Sequence, residues 1–124
     1  MKSIKNLAKD WCKKQKAPSY LWFFNRALPG DGNGAWHSAD LWYWFGTLEN
    51  CWRPFGEKDY ALSEEMVERL CAFAKTASPN ADGYNEWSSG GDRAMTFGDG
   101  ESEQKKPSLF KLWVTMFTNK APGE

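Results

Sequence analysis

The sequence predicts an α/β fold, and three observations carry that reading. Residues 19–25, Ser-Tyr-Leu-Trp-Phe-Phe-Asn, form an almost unbroken apolar run whose length and aromatic content suit a strand buried on both faces. Apolar residues at helical spacing lie on either side of it, in residues 3–15 and again from residue 63. The chain has 124 residues with eight Trp, eight Phe and four Tyr, far too aromatic for a disordered tail and sized for one small domain or a piece of a larger one.

The elements follow in order. Ile4, Leu7, Ala8, Trp11 and Cys12 make the apolar stripe of an amphipathic helix over 3–15, with Pro18 closing it. The apolar strand comes next. Residues 28–34 hold three Gly and one Pro, which forbids a regular element, so the chain loops here. Ala35, Trp36 and His37 follow directly. Ser38 is the expected N-cap of a short helix, Asp40 falls in its first turn, Leu41, Trp44 and Phe45 form its apolar face, and Gly46 stops it. Residues 47–60, with Pro54 and Gly56, read as irregular. A clearer helix is expected from Ser63, with Met66, Val67, Leu70, Cys71, Phe73 and Ala74 as its buried stripe and Pro79 beyond its end. Residues 78–93 are polar and Gly-rich, 93–97 read as a short strand ending at Gly98, and 99–106 as a charged loop. Pro107 opens a last helix with Leu109, Leu112, Trp113, Met116 and Phe117 on one face. The sum is about four helices and two or three short strands within a single segment, 1–124. Two strands make a poor sheet, so a buried-type strand with so few partners points to a chain that lacks part of its fold.

Composition narrows function. Lys plus Arg equals Asp plus Glu at 16 each, which argues against nucleic-acid binding driven by phosphate neutralisation. The charge is uneven: residues 1–26 are net +6, 27–103 net −9 and 104–124 net +3, a pattern of solvated faces whose basic ends complement the acidic middle. No apolar run reaches bilayer length, and the Lys-rich start lacks a signal peptide's apolar stretch. The three cysteines, Cys12, Cys51 and Cys71, have no metal-ligand spacing, and their odd number fits a reducing cytoplasm.

His37 is the one histidine. A lone histidine is commonly a packed or surface residue, but this one ends a Gly-rich loop beyond a core-type strand, where catalytic groups of α/β sheets gather. Its imidazole suits a general base, which also needs a nucleophile and an orienting acid. The chain has no Gly-x-Ser-x-Gly, and Ser88-Ser89-Gly90-Gly91 lacks the strand and helix that would make it a nucleophile elbow. Asp40 is close enough to touch the ring, and capping or helix-dipole roles explain it equally well. Gly30, Gly32 and Gly34 match no phosphate-binding fingerprint, and Cys51 reads as a small packed hydrophobe. The aromatic run 42–45 fits either helix packing or the lining of a ligand pocket.

Residues 17–98, about two thirds of the chain, resemble the C-terminal part of type B carboxylesterases, α/β-hydrolases that include the para-nitrobenzyl esterases and cholinesterases. The resemblance rests on Ala17 to Phe24 (Ala-Pro-Ser-Tyr-Leu-Trp-Phe-Phe), Leu28-Pro29-Gly30-Asp31 and Gly34 to Leu41 (Gly-Ala-Trp-His-Ser-Ala-Asp-Leu). It continues through Phe45-Gly46-Thr47-Leu48, Cys51-Trp52-Arg53-Pro54-Phe55, Phe73-Ala74-Lys75-Thr76, Pro79-Asn80, Glu86-Trp87 and Met95-Thr96-Phe97-Gly98. The last segment looks like the C-terminus of some bacterial members. The resemblance implies a C-terminal fragment of an α/β-hydrolase fold, with 20–25 a late strand of its sheet. It implies that His37 is the catalytic triad histidine and that Asp40 supports the active-site region without being the triad acid. The implied substrate is a small-molecule carboxylic ester, with no metal and no cofactor.

The family's nucleophilic serine, triad acid and oxyanion glycines lie upstream of the matching region, and none is in this chain. The isolated chain is therefore expected to be inactive, since triad members act as a unit. Two alternatives stand beside the esterase fragment. One is a non-catalytic or split-gene half that works only with an N-terminal α/β-hydrolase portion. The other is an aromatic-rich ligand-binding module, for instance for carbohydrate.

Overall fold

Residues 6, 10, 11, 13, 14 and 18–106 are described by the structure, a computed structural model. Among them three strands form one sheet in the order β1 (Tyr20–Phe24), β2 (Gly90–Phe97), β3 (Glu103–Lys105). β1 and β2 are parallel, with Trp22 opposite Met95, Phe23 opposite Thr96 and Phe24 opposite Phe97; the register slips between Tyr20 and Trp22. β3 returns antiparallel, with Thr96 opposite Glu103 and Ala94 opposite Lys105. A parallel pair needs a crossover. Here it consists of α1 (Leu41–Trp44), one 3₁₀ turn (Leu48–Asn50) and α2 (Glu57–Thr76).

The apolar run forms β1 as expected, but it is not buried on both faces. β1 is an edge of the described sheet, and Trp22 on it is 42% exposed. The helices pack on one face without closing it. Alternation sends Tyr20, Trp22 and Phe24 to the helical side, where their rings meet Phe73, Trp44 and Tyr43 with centroids 6.1, 5.2 and 5.0 Å apart. Tyr43 touches Phe55, and Phe97 touches Trp44 and Trp87, in edge-on pairs. Each such pair contributes about 0.5–1.5 kcal/mol beyond its buried area. Leu28, Leu48, Leu62, Met66 and Met95 complete this core.

Local chemistry explains where the elements depart from expectation. Ser38 does not cap α1; it sits in the left-handed region with φ +69°. The N-cap is Asp40, which serves through its carbonyl, accepting the Tyr43 and Trp44 amides at 3.0 Å, and its side chain makes no capping bond. The buried residue of α1 is Tyr43, whereas Leu41 and Phe45 point outward. Gly46 does end the helix, with φ +60°. α2 begins at Glu57, ahead of Ser63, because Gly56 is its N-cap and the Asp59 carboxylate accepts the Gly56 N–H at 3.0 Å. It ends at Thr76, where Ala77 turns left-handed and its amide reaches the Phe73 carbonyl at 2.8 Å.

The face that α2 buries is rotated from the expected stripe. Of that stripe only Met66 is buried; Leu70 and Phe73 are 42% and 44% exposed, and Cys71 is exposed. The inward residues include Asp59, Ser63, Glu65 and Arg69, each held by a partner. Fully buried Arg69 donates to Glu65 Oε1 at 2.8 Å and to the carbonyls of Asn85 at 2.7 Å and Pro79 at 3.3 Å. Glu65 Oε2 accepts the Ser102 hydroxyl at 2.8 Å. A charge survives burial when it is paired and hydrogen-bonded in this way. β2 starts at Gly90, earlier than expected, and β3 lies inside what the sequence suggested was a loop.

The five described residues before 18 are helical, in keeping with the expected helix over 3–15, although Trp11 is 59% exposed. The rest of that helix, and the one expected from Pro107, lie outside the described residues.

Candidate functional site

The site grows from the end of β1. Asn25 extends the ladder, its amide donating to the Phe97 carbonyl at 2.9 Å. Arg26 then fixes the exit of the strand. Its Nε donates to Asp59 Oδ1 at 2.9 Å and its Nη1 to Asp99 at 2.7 Å. Asp59 is 3% exposed and also accepts the Tyr43 hydroxyl at 2.8 Å, so β1, α1 and α2 meet at one carboxylate. Burial alone would raise the Asp59 pKa, but Arg26, the Gly56 amide and the Tyr43 hydroxyl outweigh it and hold the carboxyl below its ordinary range. The same burial, with Asp59 alongside, pushes the Tyr43 phenol well up.

Beyond Arg26 the chain makes the expected loop. Leu28 is buried and its amide donates to the Gly34 carbonyl at 3.2 Å, closing the loop at its neck. Gly30 has φ +115°, and a Cβ there would lie 3.0 Å from the Trp52 ring, so glycine is required by both conformation and space. The loop delivers Trp36 and then His37.

His37 is exposed, and its Nδ1 lies 2.9 Å from Ser38 Oγ. Among the described residues that hydroxyl is the ring's hydrogen-bond partner, and the left-handed Ser38 backbone presents it. Asp40 does not reach the ring. It lines an apolar groove of about 380 Å³ with Tyr20, Trp22, Leu41, Phe45, Leu70 and Phe73. The structure thus leaves the two candidates at neighbouring positions without a contact. Ser88 is engaged elsewhere, its amide and carbonyl clasped by the Gln104 side chain, both at 2.9 Å. Cys51 is half-buried and free. Trp44 of the aromatic run packs on Phe97, so helix packing accounts for it, and it also lines the groove. Among the described residues no group of three His, Cys, Asp or Glu side chains is placed to hold a metal, and no helix is long and apolar enough to cross a membrane.

Sequence reasoning missed three contributors: Ser38 as the partner of the ring, Asp59 as the junction beneath the loop, and Arg53, which reaches the loop from beyond the 3₁₀ turn. The signal for Asp59 was present, three residues after Gly56 at a helix start. The other two depend on contacts that spacing does not show.

A strand, a glycine loop and a histidine in this succession bear directly on family. The sequence model of the carboxylesterase family matches residues 2–112. The chain belongs to the carboxylesterase family. No curated protein matches it. Among solved structures it is similar to an esterase from the anaerobe Clostridium hathewayi that can hydrolyse aliphatic aromatic polyesters, with a TM-score of 0.68 and 22% identity over 94% of this chain. It is also similar to a PNB esterase, with a TM-score of 0.67 and 21% identity over 89% of this chain. It spans only 23% and 24% of those two chains. At that level of identity the likeness establishes fold: this carboxylesterase chain is folded as a fragment of an α/β-hydrolase.

Proposed function

We propose that the chain is the histidine-bearing C-terminal portion of a serine carboxylesterase and hydrolyses no ester by itself. The observation that carries this reading is the position of His37, exposed at the end of the glycine loop beyond β1 in a carboxylesterase-family chain. The chemistry belongs to the whole enzyme. His37 takes the proton of a serine hydroxyl supplied by the complementary portion as that oxygen attacks the ester carbonyl carbon. The imidazolium then returns the proton to the departing alkoxide, leaving an acyl-serine. A water molecule, deprotonated by His37, attacks the acyl carbon; the serine oxygen leaves and takes the proton back. An acid on the complementary portion would orient the ring through Nδ1, the atom that Ser38 Oγ engages here. Asp40, on the wall of the groove, would support the site without touching the ring.

The uncovered apolar surface supports a missing complement. Among the described residues the outer edge of β1 and the groove beside it, with Trp22, Leu41, Phe45, Leu70 and Phe73 all exposed, form a surface that a larger sheet and its helices would bury. That surface serves equally a complement on the same polypeptide and one on a separate chain. The described tryptophans from Trp22 to Trp87 are engaged in packing or in this surface, which favours both readings over a free aromatic binding module.

The deciding experiment is to sequence the DNA upstream of the Met1 codon. An in-frame segment encoding Gly-x-Ser-x-Gly and an oxyanion-type glycine run is the expected result. An in-frame stop with no such segment would shift the assignment to a split half that requires a partner chain. Ester hydrolysis by the 124-residue chain that disappears in His37→Ala would overturn the claim of inactivity.

A further inference from the structure

We infer that Arg53 is the positioning residue for His37, clamping the loop that carries it; the inference rests on His37 as the triad base. The loop has little to define it from within. Gly30, Gly32 and Gly34 all have positive φ, and its internal hydrogen bonds are the closure from Leu28 to Gly34 and a turn in which Asp31 Oδ1 accepts the Asn33 amide at 3.2 Å. Glycines at such spacing leave the backbone many conformations. A histidine at the end of such a segment needs an outside tether, because a misplacement of about 1 Å can cost on the order of a hundredfold in rate.

Arg53 supplies that tether at three points of the loop. Its Nη1 donates to the Pro29 carbonyl at 2.8 Å, at the near end. Its Nη2 donates to Asp31 Oδ2 at 2.6 Å, at the tip. Its guanidinium carbon lies 4.4 Å from the centre of the Trp36 ring, at the far end and directly before His37. The centre of the Trp52 ring lies 4.7 Å from the same guanidinium carbon, and that ring is seated over Gly30. The side chain is 7% exposed. The partners are a carbonyl, a carboxylate and two indole faces. A planar fork can serve all of them together, and an ammonium cannot. The Arg26–Asp59 junction holds the loop's entry, so the two arginines fix it at both ends.

The test is nuclear magnetic resonance on the full 124-residue chain labelled with ¹⁵N, where the lone histidine makes the ring-nitrogen signals unambiguous. Wild type, Arg53→Met and Arg53→Lys are compared for the His37 tautomer ratio and for amide exchange. The expected result is that both variants move the tautomer ratio toward that of free imidazole. Amides of residues 34–38 should exchange about tenfold faster, while those of α2 stay within about twofold of wild type.

Unchanged His37 and Trp36 signals in Arg53→Met would overturn the inference. So would a wild-type ratio in Arg53→Lys, which would mean that charge alone suffices. Exchange that accelerates equally across α2 and the sheet would make Arg53 a general stabiliser and overturn it too. A wild-type spectrum without dispersed signals for the loop would do the same, since the clamp would then be absent. Loss of the serine-esterase reading through the upstream sequence leaves these measurements untouched, and a failed clamp leaves His37 as the proposed base.

Discussion

Replacing Asp59 with alanine is the most informative perturbation of this fold, because one buried carboxylate joins three elements. The substitution removes the acceptor for the Gly56 N–H at the start of α2, worth about 1 kcal/mol as a cap. It strands the buried Tyr43 hydroxyl, which costs about 1–3 kcal/mol. Arg26 loses one partner but keeps Asp99, which is largely exposed, so its share is small. The expected loss is about 3 kcal/mol, a large part of the stability of a small domain. Asp59→Asn keeps an acceptor for Tyr43 and for the cap, and should lose only about 1–1.5 kcal/mol. Urea unfolding followed by circular dichroism reads both values.

The pH dependence has a definite sign. The folded pKa of Asp59 is lowered, so its contribution is fully present above the unfolded value of about 3.9 and is lost as pH falls through the folded value. Asp59→Ala should therefore flatten the acid limb of the stability profile. An Asp59→Ala unfolding free energy within about 0.5 kcal/mol of wild type, with the acid limb unchanged, would refute the reasoning.

Three further outcomes are expected. Arg69→Met leaves Glu65 and the carbonyls of Pro79 and Asn85 without their donor in a fully buried site, and should lower stability by about 3 kcal/mol and the thermal midpoint by roughly 10 °C. Gly30→Ala forces a side chain into the left-handed region and against the Trp52 ring; a loss of about 1–2 kcal/mol with altered near-ultraviolet dichroism is the expected reading. Leu70→Ser alters a side chain that is already exposed, so stability should hold within about 0.5 kcal/mol while self-association in sedimentation velocity declines.

What the sequence disclosed follows from where each element gets its energy. β1 was legible because its residues are apolar on both faces, and the glycine loop because no regular element tolerates its composition. The same residues placed His37 beyond a strand end. The orientation of α2 was not legible, since hydropathy selects Leu70 and Phe73 as core. In this chain they stay more than two-fifths exposed, and the inner face is held by the polar pairings of Asp59, Glu65 and Arg69. A periodicity count cannot know that Arg69 will find two carbonyls and a carboxylate. β3 escaped notice because Glu103, Gln104 and Lys105 carry no apolar alternation, and the strand exists through its pairing with β2. Arg53 was quoted within a family stretch but carried no role, because its partners lie far away along the chain.

The open edge of β1 sets a competition governed by mass action. Among the described residues the edge of β1 has no strand beyond it, and this edge with the adjoining groove would admit an extended apolar segment, including the β1 of a second copy. On the reading proposed above, a complement at low concentration meets an edge that no second copy occupies. At high concentration it must first displace a sister chain, so its apparent affinity weakens as the protein is concentrated. A titration at one concentration would therefore understate the strength of the proposed pairing, and a dilution series would recover it.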